Sequence, residues 1–239
     1  MLIAASRIRG CSIEGPNEQV GTVKDVLFER KRWTVRYLDV ATGVWLPGRR
    51  VILSPEVIVS ADYAAQRLGT RLTQEQVKNS PPLDHDMPVS RQKEIEMNQY
   101  FAWGAYWANV ELASGEVNPE GDPDLHSAKA VSGYRVAATD GDIGHVDDFI
   151  VDDAGLERAP WEIRYLVVDT RNWLPGRHVL IPPAWAGSVD WATSHVQIGL
   201  AREAIEDSPE YDPATPINRQ YEQVFFDYYG RPVYWRLEQ

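Results

Sequence analysis

The chain is written twice. A constant displacement of 128 positions carries Trp33 onto Trp161 and Trp107 onto Trp235, and lays "YLDVATGVWLPGRRV" at 37–51 over "YLVVDTRNWLPGRHV" at 165–179. Within that register Arg36, Tyr37 and Leu38 match Arg164, Tyr165 and Leu166, while Asn79, Ser80 and Pro81 match Asp207, Ser208 and Pro209. Upstream the displacement becomes 123, because "ERKRW" is replaced by "DDAGLERAPW"; Gly10 then falls on Gly133 and Gly21 on Gly144. A five-residue change between two strand-like runs is what a hairpin loop absorbs. The repeated unit is domain-sized, about 110 residues, rather than a solenoid turn. This predicts two tandem domains, 1–112 and 125–239, joined by the Gly-, Pro- and acid-rich linker 113–124, "ASGEVNPEGDPD".

Each half opens with strand signals and closes with helical ones. "VGTVKDVLFE" and "IGHVDDFIVD" lead into "WTVRYLDV" and "WEIRYLVV", where Trp33, Val35 and Tyr37 alternate with Arg36 and Leu38 at the period of a strand with two differently used faces. Asp140-Gly141 is a hairpin signal. Pro47-Gly48 and Pro175-Gly176 specify type II turns, since proline presets the second turn position and glycine supplies positive φ at the third. "LTQEQVKNSP" and "LAREAIEDSP" read as short amphipathic turns, with a capping box between Thr73 and Gln76 that Ala201 and Ala204 lack. Ser90 and Asn218 stand at N-cap positions before "RQKEIEMNQYF" and "RQYEQVFFDYY". The fold expected is mainly β with α appendages: two tandem small β-barrels, each followed by a short helical, aromatic-rich tail.

The Gly-x-Val-x-Asp strand, the W-x-[IV]-R-Y-L strand and the W-L-P-G-R turn, each present twice, resemble the PRC-barrel family. That family takes its name from the cytoplasmic domain of the H subunit of purple bacterial photosynthetic reaction centres. It also includes the C-terminal domain of a bacterial ribosome maturation factor and many free-standing bacterial proteins. The resemblance covers residues 3–60 and 126–188 as barrels, and the "NSP…P[VI][SN]RQ" tails resemble those of the free-standing members. It implies adaptor or assembly work. Two departures stand against closer analogies: the reaction-centre subunit has an N-terminal membrane helix that is missing here, and a second barrel replaces the RNA-related domain of the ribosome factor.

Charge narrows the partners. Residues 1–112 carry 14 Lys and Arg against 13 Asp and Glu, a net +1, whereas residues 113–239 carry 10 against 22, a net −12. An acidic chain gains nothing from counterion release, so direct nucleic-acid binding is disfavoured. No apolar run approaches the roughly 18 residues of a membrane span, and Arg7 and Arg9 interrupt any secretory leader; both facts point to a cytoplasmic protein. The single cysteine, Cys11, excludes an intrachain disulfide and reads as a small buried residue.

The site residues follow from the repeat. Trp45 and Trp173 precede the Pro-Gly turns and read as covers over the end of a core, with a ligand or partner contact as the alternative. Arg49 and Arg177, like Arg36 and Arg164, are forks for a structural pairing, for which Asp25 and Asp148 are the repeated candidates, or for an anionic ligand. Arg30, Lys31 and Arg32 give the first hairpin a basic tip, whereas Asp147, Asp148, Asp152 and Asp153 make the second acidic; two related barrels with opposite local charge can recognise one another within a chain or between chains. Tyr100, Trp107, Tyr228 and Trp235 belong to tails whose aromatic density suits self-packing or a partner. Neither catalytic residues nor cofactors are expected. His85, His126, His145, His178 and His195 have no counterparts in the other repeat, and the carboxylates of "LDHDMP" and "DGDIG" lack the further ligands of a calcium loop, so no metal site is expected either. The leading expectation is a non-enzymatic protein-interaction or assembly module, with a homo-oligomer among its partners. A ribosome- or RNA-processing-associated factor, a photosynthetic electron-transport accessory by family analogy, and a small-ligand or ion-binding protein are the alternatives.

Overall fold

The computed structural model describes residues 1–83, 89–104, 125–156, 160–170 and 177–236. Its strands are β1 (Leu2–Ala4), β2 (Ser12–Glu14), β3 (Gln19–Glu29), β4 (Thr34–Ala41), β5 (Arg50–Leu53), β6 (Ile58–Asp62), β7 (Arg67–Thr70), β8 (Leu125–Ser127), β9 (Arg135–Ala138), β10 (Gly141–Asp152), β11 (Trp161–Asp169), β12 (His178–Ile181), β13 (Ala186–Asp190) and β14 (His195–Ile198). The helices are α1 (Ala5–Ile8), α2 (Gln74–Asn79), α3 (Arg91–Phe101), α4 (Ala128–Val131), α5 (Arg202–Glu206) and α6 (Arg219–Tyr228). The protein is mainly β, and the two repeats carry the same succession of seven strands.

Two compact units result, and they are not the two repeats laid end to end. One comprises Arg7–Ser127 with Leu156–Trp161; the other comprises Met1–Ser6, Ala128–Gly155 and Glu162–Gln239. In the first, ladders run β6–β7–β2–β3–β4–β5, antiparallel except for the parallel pair β2 and β7. Beside β2, on the other half of β3, lies β8: Leu27 pairs with Ser127 and Glu29 with Leu125. In the second unit the path is β13–β14–β9–β10–β11–β12, and β1 takes the equivalent place, Ala4 against Ile150 and Leu2 against Asp152.

The opening strand of each repeat therefore completes the sheet of the other. The domain boundaries expected at 112 and 125 divide the sequence but cut across the units. The physical reason is equivalence: the same three-residue strand fits the same open half of β3 or β10, and ladder pairing satisfies the backbone groups there. The repeated aspartates anchor the exchange. Asp25 accepts a hydrogen bond from Ser127 Oγ, and both oxygens of Asp148 face the backbone N–H of Ser6 at 3.2 and 3.3 Å. The arginine partners differ from those expected: Arg36 pairs with Glu29 at 3.4 Å, and Arg164 with Glu162 at 2.8 Å and Asp152 at 3.4 Å.

Closed barrels are not what the ladders form among the described residues. No ladder joins β5 to β6 or β12 to β13, because the chain turns there through 3-10 segments at Pro55–Val57 and Pro183–Trp185, whose prolines lack the N–H a ladder needs. Leu46-Pro47-Gly48-Arg49 is the turn expected from the sequence, with the Arg49 N–H on Leu46 O and Gly48 at φ +76°; Pro175-Gly176 lies outside the described residues. Trp33 sits in the turn before β4 at φ +56° and stacks on Phe28, whereas Trp161 begins its strand and is buried.

Both faces of β4 and β11 are covered, not one. Leu38 and Val40 are buried alongside Tyr37, and Leu166 and Val168 alongside Tyr165. The second face is sealed by the tail helix: Met97 of α3 meets Tyr37 and Ile52, and Phe225 of α6 meets Tyr165, Val167 and Leu180.

Candidate functional site

The tail helices begin as the sequence predicts. Ser90 Oγ accepts from Lys93 N at 3.2 Å, and Asn218 Oδ1 from Tyr221 N at 2.9 Å. One turn in, each helix buries a carboxylate against the sheet: Glu94 and Glu222 are almost wholly enclosed. Glu94 pairs with Arg91 at 2.7 Å. Glu222 accepts from the Tyr165 hydroxyl at 2.8 Å, from Tyr234 at 3.0 Å and from Arg219 at 3.0 Å. Neither carboxylate was read from the sequence, although "RQKE" and "RQYE" stand in the 128-residue register; an Arg-x-x-Glu turn looks like a solvated helix face until the apolar stripe is traced through it.

Burial first, and then the Glu222 carboxylate, push the Tyr165 hydroxyl far above the usual tyrosine range, and the same two causes act in the same order on Tyr234. Burial also raises Tyr221, and it pushes Tyr229 up to about 12. Around this polar knot Phe225 stacks on Trp185 at 5.5 Å, and Trp235 lies edge-on to Phe226 at 6.2 Å under the Arg219 guanidinium.

The repeated phrase Trp-Leu-Pro-Gly-Arg has a structural use. Arg49 Nη2 donates to Ser80 O, the carbonyl that closes α2, and Arg177 donates to Ser208 O and Glu206 O at the end of α5. Each arginine thus neutralises carbonyls left open by a short helix, and this is why W-L-P-G-R and [ND]-S-P recur together. The tail tyrosines brace the same helices from the other side: Tyr100 donates to Gln76 O at 2.8 Å and Tyr228 to Ala204 O at 3.0 Å. The Thr73 capping box forms, and the cap Ala201 cannot provide comes from Asp140, which accepts from Arg202 N at 2.9 Å.

Trp45 is half-buried beside β3 and its indole N–H donates to Val20 O at 3.0 Å, a cover rather than a core residue. Trp173 and Trp107 lie outside the described residues. Arg30, Lys31 and Arg32 occupy the β3–β4 turn, Lys31 and Arg32 exposed, with the Lys31 N–H held by Glu29. The acidic counterparts have internal duties: Asp152 and Asp153 accept from Ala154 N and Gly155 N, which shapes the second hairpin. Asp147 pairs with His178 at 3.5 Å, and His145 with Asp169 at 3.9 Å, so two histidines that look scattered in the sequence each face a carboxylate of another strand.

The two tail helices differ on their outer faces. Along α3 that face is Lys93, Glu96 and Tyr100, the first two ion-paired at 2.6 Å. The register puts Tyr221, Val224 and Tyr228 there on α6, and Val224 is 55% exposed. A shallow groove of about 380 Å³ runs beside this stripe, walled by Ile217, Tyr221 and Val224 and rimmed by Glu210 and Asp212. Hydrogen bonds from Ala214 N and Thr215 hold the Asp212 carboxyl below the usual carboxylate range, so the rim stays charged. By contrast the cleft between Tyr37, Asn98 and Trp103 has only about 40 Å³, room for a water or two and far below a small-molecule pocket. No described helix is long and apolar enough to cross a membrane.

Compared with known families, residues 1–70 match the PRC-barrel domain, so a PRC-barrel domain is present there. No curated protein matches the chain.

Proposed function

We propose that this protein is a non-enzymatic interaction or assembly module, with a PRC-barrel domain and a second, diverged copy of the same fold, and that its docking face is the outer side of α6. The observation that carries the reading is the contrast between equivalent helices: where α3 shows Lys93 and Glu96, α6 shows the half-buried Tyr221 and the exposed Val224 beside an acid-rimmed groove. An apolar stripe with a polar rim is the anatomy of a protein interface, and the exposed pair Val224 and Tyr228, at i and i+4 spacing, is otherwise a liability. The net −12 of residues 113–239 selects a partner that presents a basic segment with an apolar anchor. Ribosomal proteins are basic, so a ribosome-linked role is the second reading that this charge supports.

Affinity capture from the native cell, run in parallel with wild type and Val224→Arg/Glu210→Lys, tests the proposal. The variant should lose a partner that the wild type retains, at unchanged thermal stability, and wild-type capture should weaken as salt rises. An identical set of captured proteins from both would overturn the α6 face as the docking site.

A further inference from the structure

The second-repeat unit gathers four metal-type ligands on one face of three adjacent strands. His145 of β10 stands opposite Asp169 of β11, and Asp169 opposite His178 of β12, so the three form one cross-strand row. A register shift between Val146 and Asp148 places Asp147 in a bulge beside that row. Ligand atoms of His145, Asp147 and Asp169 lie within 4.8 Å of one another, and His178 Nε2 is 3.5 Å from Asp147 Oδ2.

We propose that His145, Asp147, Asp169 and His178 bind one divalent transition-metal ion of the zinc class. Two imidazole nitrogens and two carboxylate oxygens match the donors such ions prefer, and the two carboxylates balance the ion's charge. Metal–ligand bonds of about 2.0–2.1 Å in a tetrahedron put ligand atoms roughly 3.3 Å apart. Two of the present separations, 3.5 Å for His178–Asp147 and 3.9 Å for His145–Asp169, approach that value; His145, Asp147 and Asp169 form the compact group, and His178 has to swing in from beside Asp147 as the fourth ligand. Asp169 is fully buried and His145 about a third exposed, so the set has a fixed floor and an open approach.

The first repeat supplies the internal control. Its strands keep the same register, Thr22 against Ala41 and Ala41 against Arg50, with the same bulge at Lys24. Those four positions, Thr22, Lys24, Ala41 and Arg50, are the equivalents of His145, Asp147, Asp169 and His178. One frame thus carries a full ligand set in one copy and two cations with no ligand set in the other. The ion would staple β10, β11 and β12 together. This holds whatever partner docks on α6.

The test starts from chelator-treated full-length protein titrated with Zn2+ by calorimetry and with Co2+ by visible absorption. Wild type should bind one ion per chain, develop the ligand-field bands of a low-symmetry Co2+ site, and unfold several degrees higher with Zn2+. The variant His145→Thr/His178→Arg installs side chains that the first repeat already accommodates in this frame. It should fold without metal and lose affinity by at least about 100-fold. Asp169→Asn should lose affinity as well, and His195→Gln, remote from the cluster, should bind like wild type. Wild-type affinity no greater than that of His145→Thr/His178→Arg would overturn the site and leave two surface His–Asp ion pairs; equal losses in His195→Gln would do the same.

Discussion

Replacing Glu222 with alanine tests whether the tail helix is locked to the sheet through its buried carboxylate. The substitution strips the acceptor from the fully buried Tyr165 hydroxyl, which at 2.8 Å has Glu222 Oε1 as its partner. An orphaned buried donor costs about 1–3 kcal/mol. Loss of the one buried methylene beyond Cβ adds roughly 0.8 kcal/mol. Arg219 is 61% exposed and can return to water, so that ion pair adds about 0–1 kcal/mol at most. The expected loss is about 3 kcal/mol, a fall in Tm of roughly 6–12 °C for a chain of this size. Glu222→Gln keeps an acceptor oxygen at similar volume and should cost about 1–2 kcal/mol. Urea unfolding of wild type and both variants, followed by tyrosine and tryptophan fluorescence, measures the difference. Equal stabilities for the alanine and glutamine variants, or an alanine variant within about 0.5 kcal/mol of wild type, would refute the locking argument.

Four further outcomes follow from the same structure. The folded state keeps Tyr165, Tyr221, Tyr229 and Tyr234 protonated above the unfolded value of about 10, so stability should hold below that pH and fall as pH rises beyond it; reversible, independent phenol titration with native circular dichroism would contradict this. Arg177→Lys cannot reach both Glu206 O and Ser208 O with a planar fork, and should cost about 1–2 kcal/mol, read by chemical denaturation. Gly144→Ala would place its Cβ 1.9 Å from Asp169 O at φ +150°, a clash with backbone that should cost about 3 kcal/mol or more; a wild-type Tm would show that the β10–β11 ladder yields there. Trp45→Ala, removing a half-buried cover, should cost about 1–2 kcal/mol, against about 3–5 for the buried Trp161→Ala, as a pair of thermal melts would show.

What the sequence made legible were features written locally or written twice. The caps at Ser90, Asn218 and Thr73 and the turn at Pro47-Gly48 need only a few neighbouring residues, and the duplication needs only the chain itself. The exchanged strands were not legible, because Leu2–Ala4 and Leu125–Ser127 are interchangeable as strands and nothing within three residues says which sheet receives them. The carboxylates Glu94 and Glu222 stayed hidden because a charged residue on a helix normally faces water. His145 and His178 were read as scattered because they lie 33 positions apart; only the register of β10, β11 and β12, with the bulge at Asp147, brings them together. The forks Arg49 and Arg177 were singled out correctly as repeated, but their targets, carbonyls about 30 residues downstream, have no side-chain signature.

The traded opening strands bear on the chain's history and on its wholeness. Once each copy finished its sheet with a piece of the other, neither could be deleted without baring the flank of β3 or β10 in the survivor, so the duplication works as a ratchet. A protease cut within 113–124 would not set two proteins free. It would leave two fragments, each contributing chain to both units, and they should travel as one species through gel filtration until denaturant parts them.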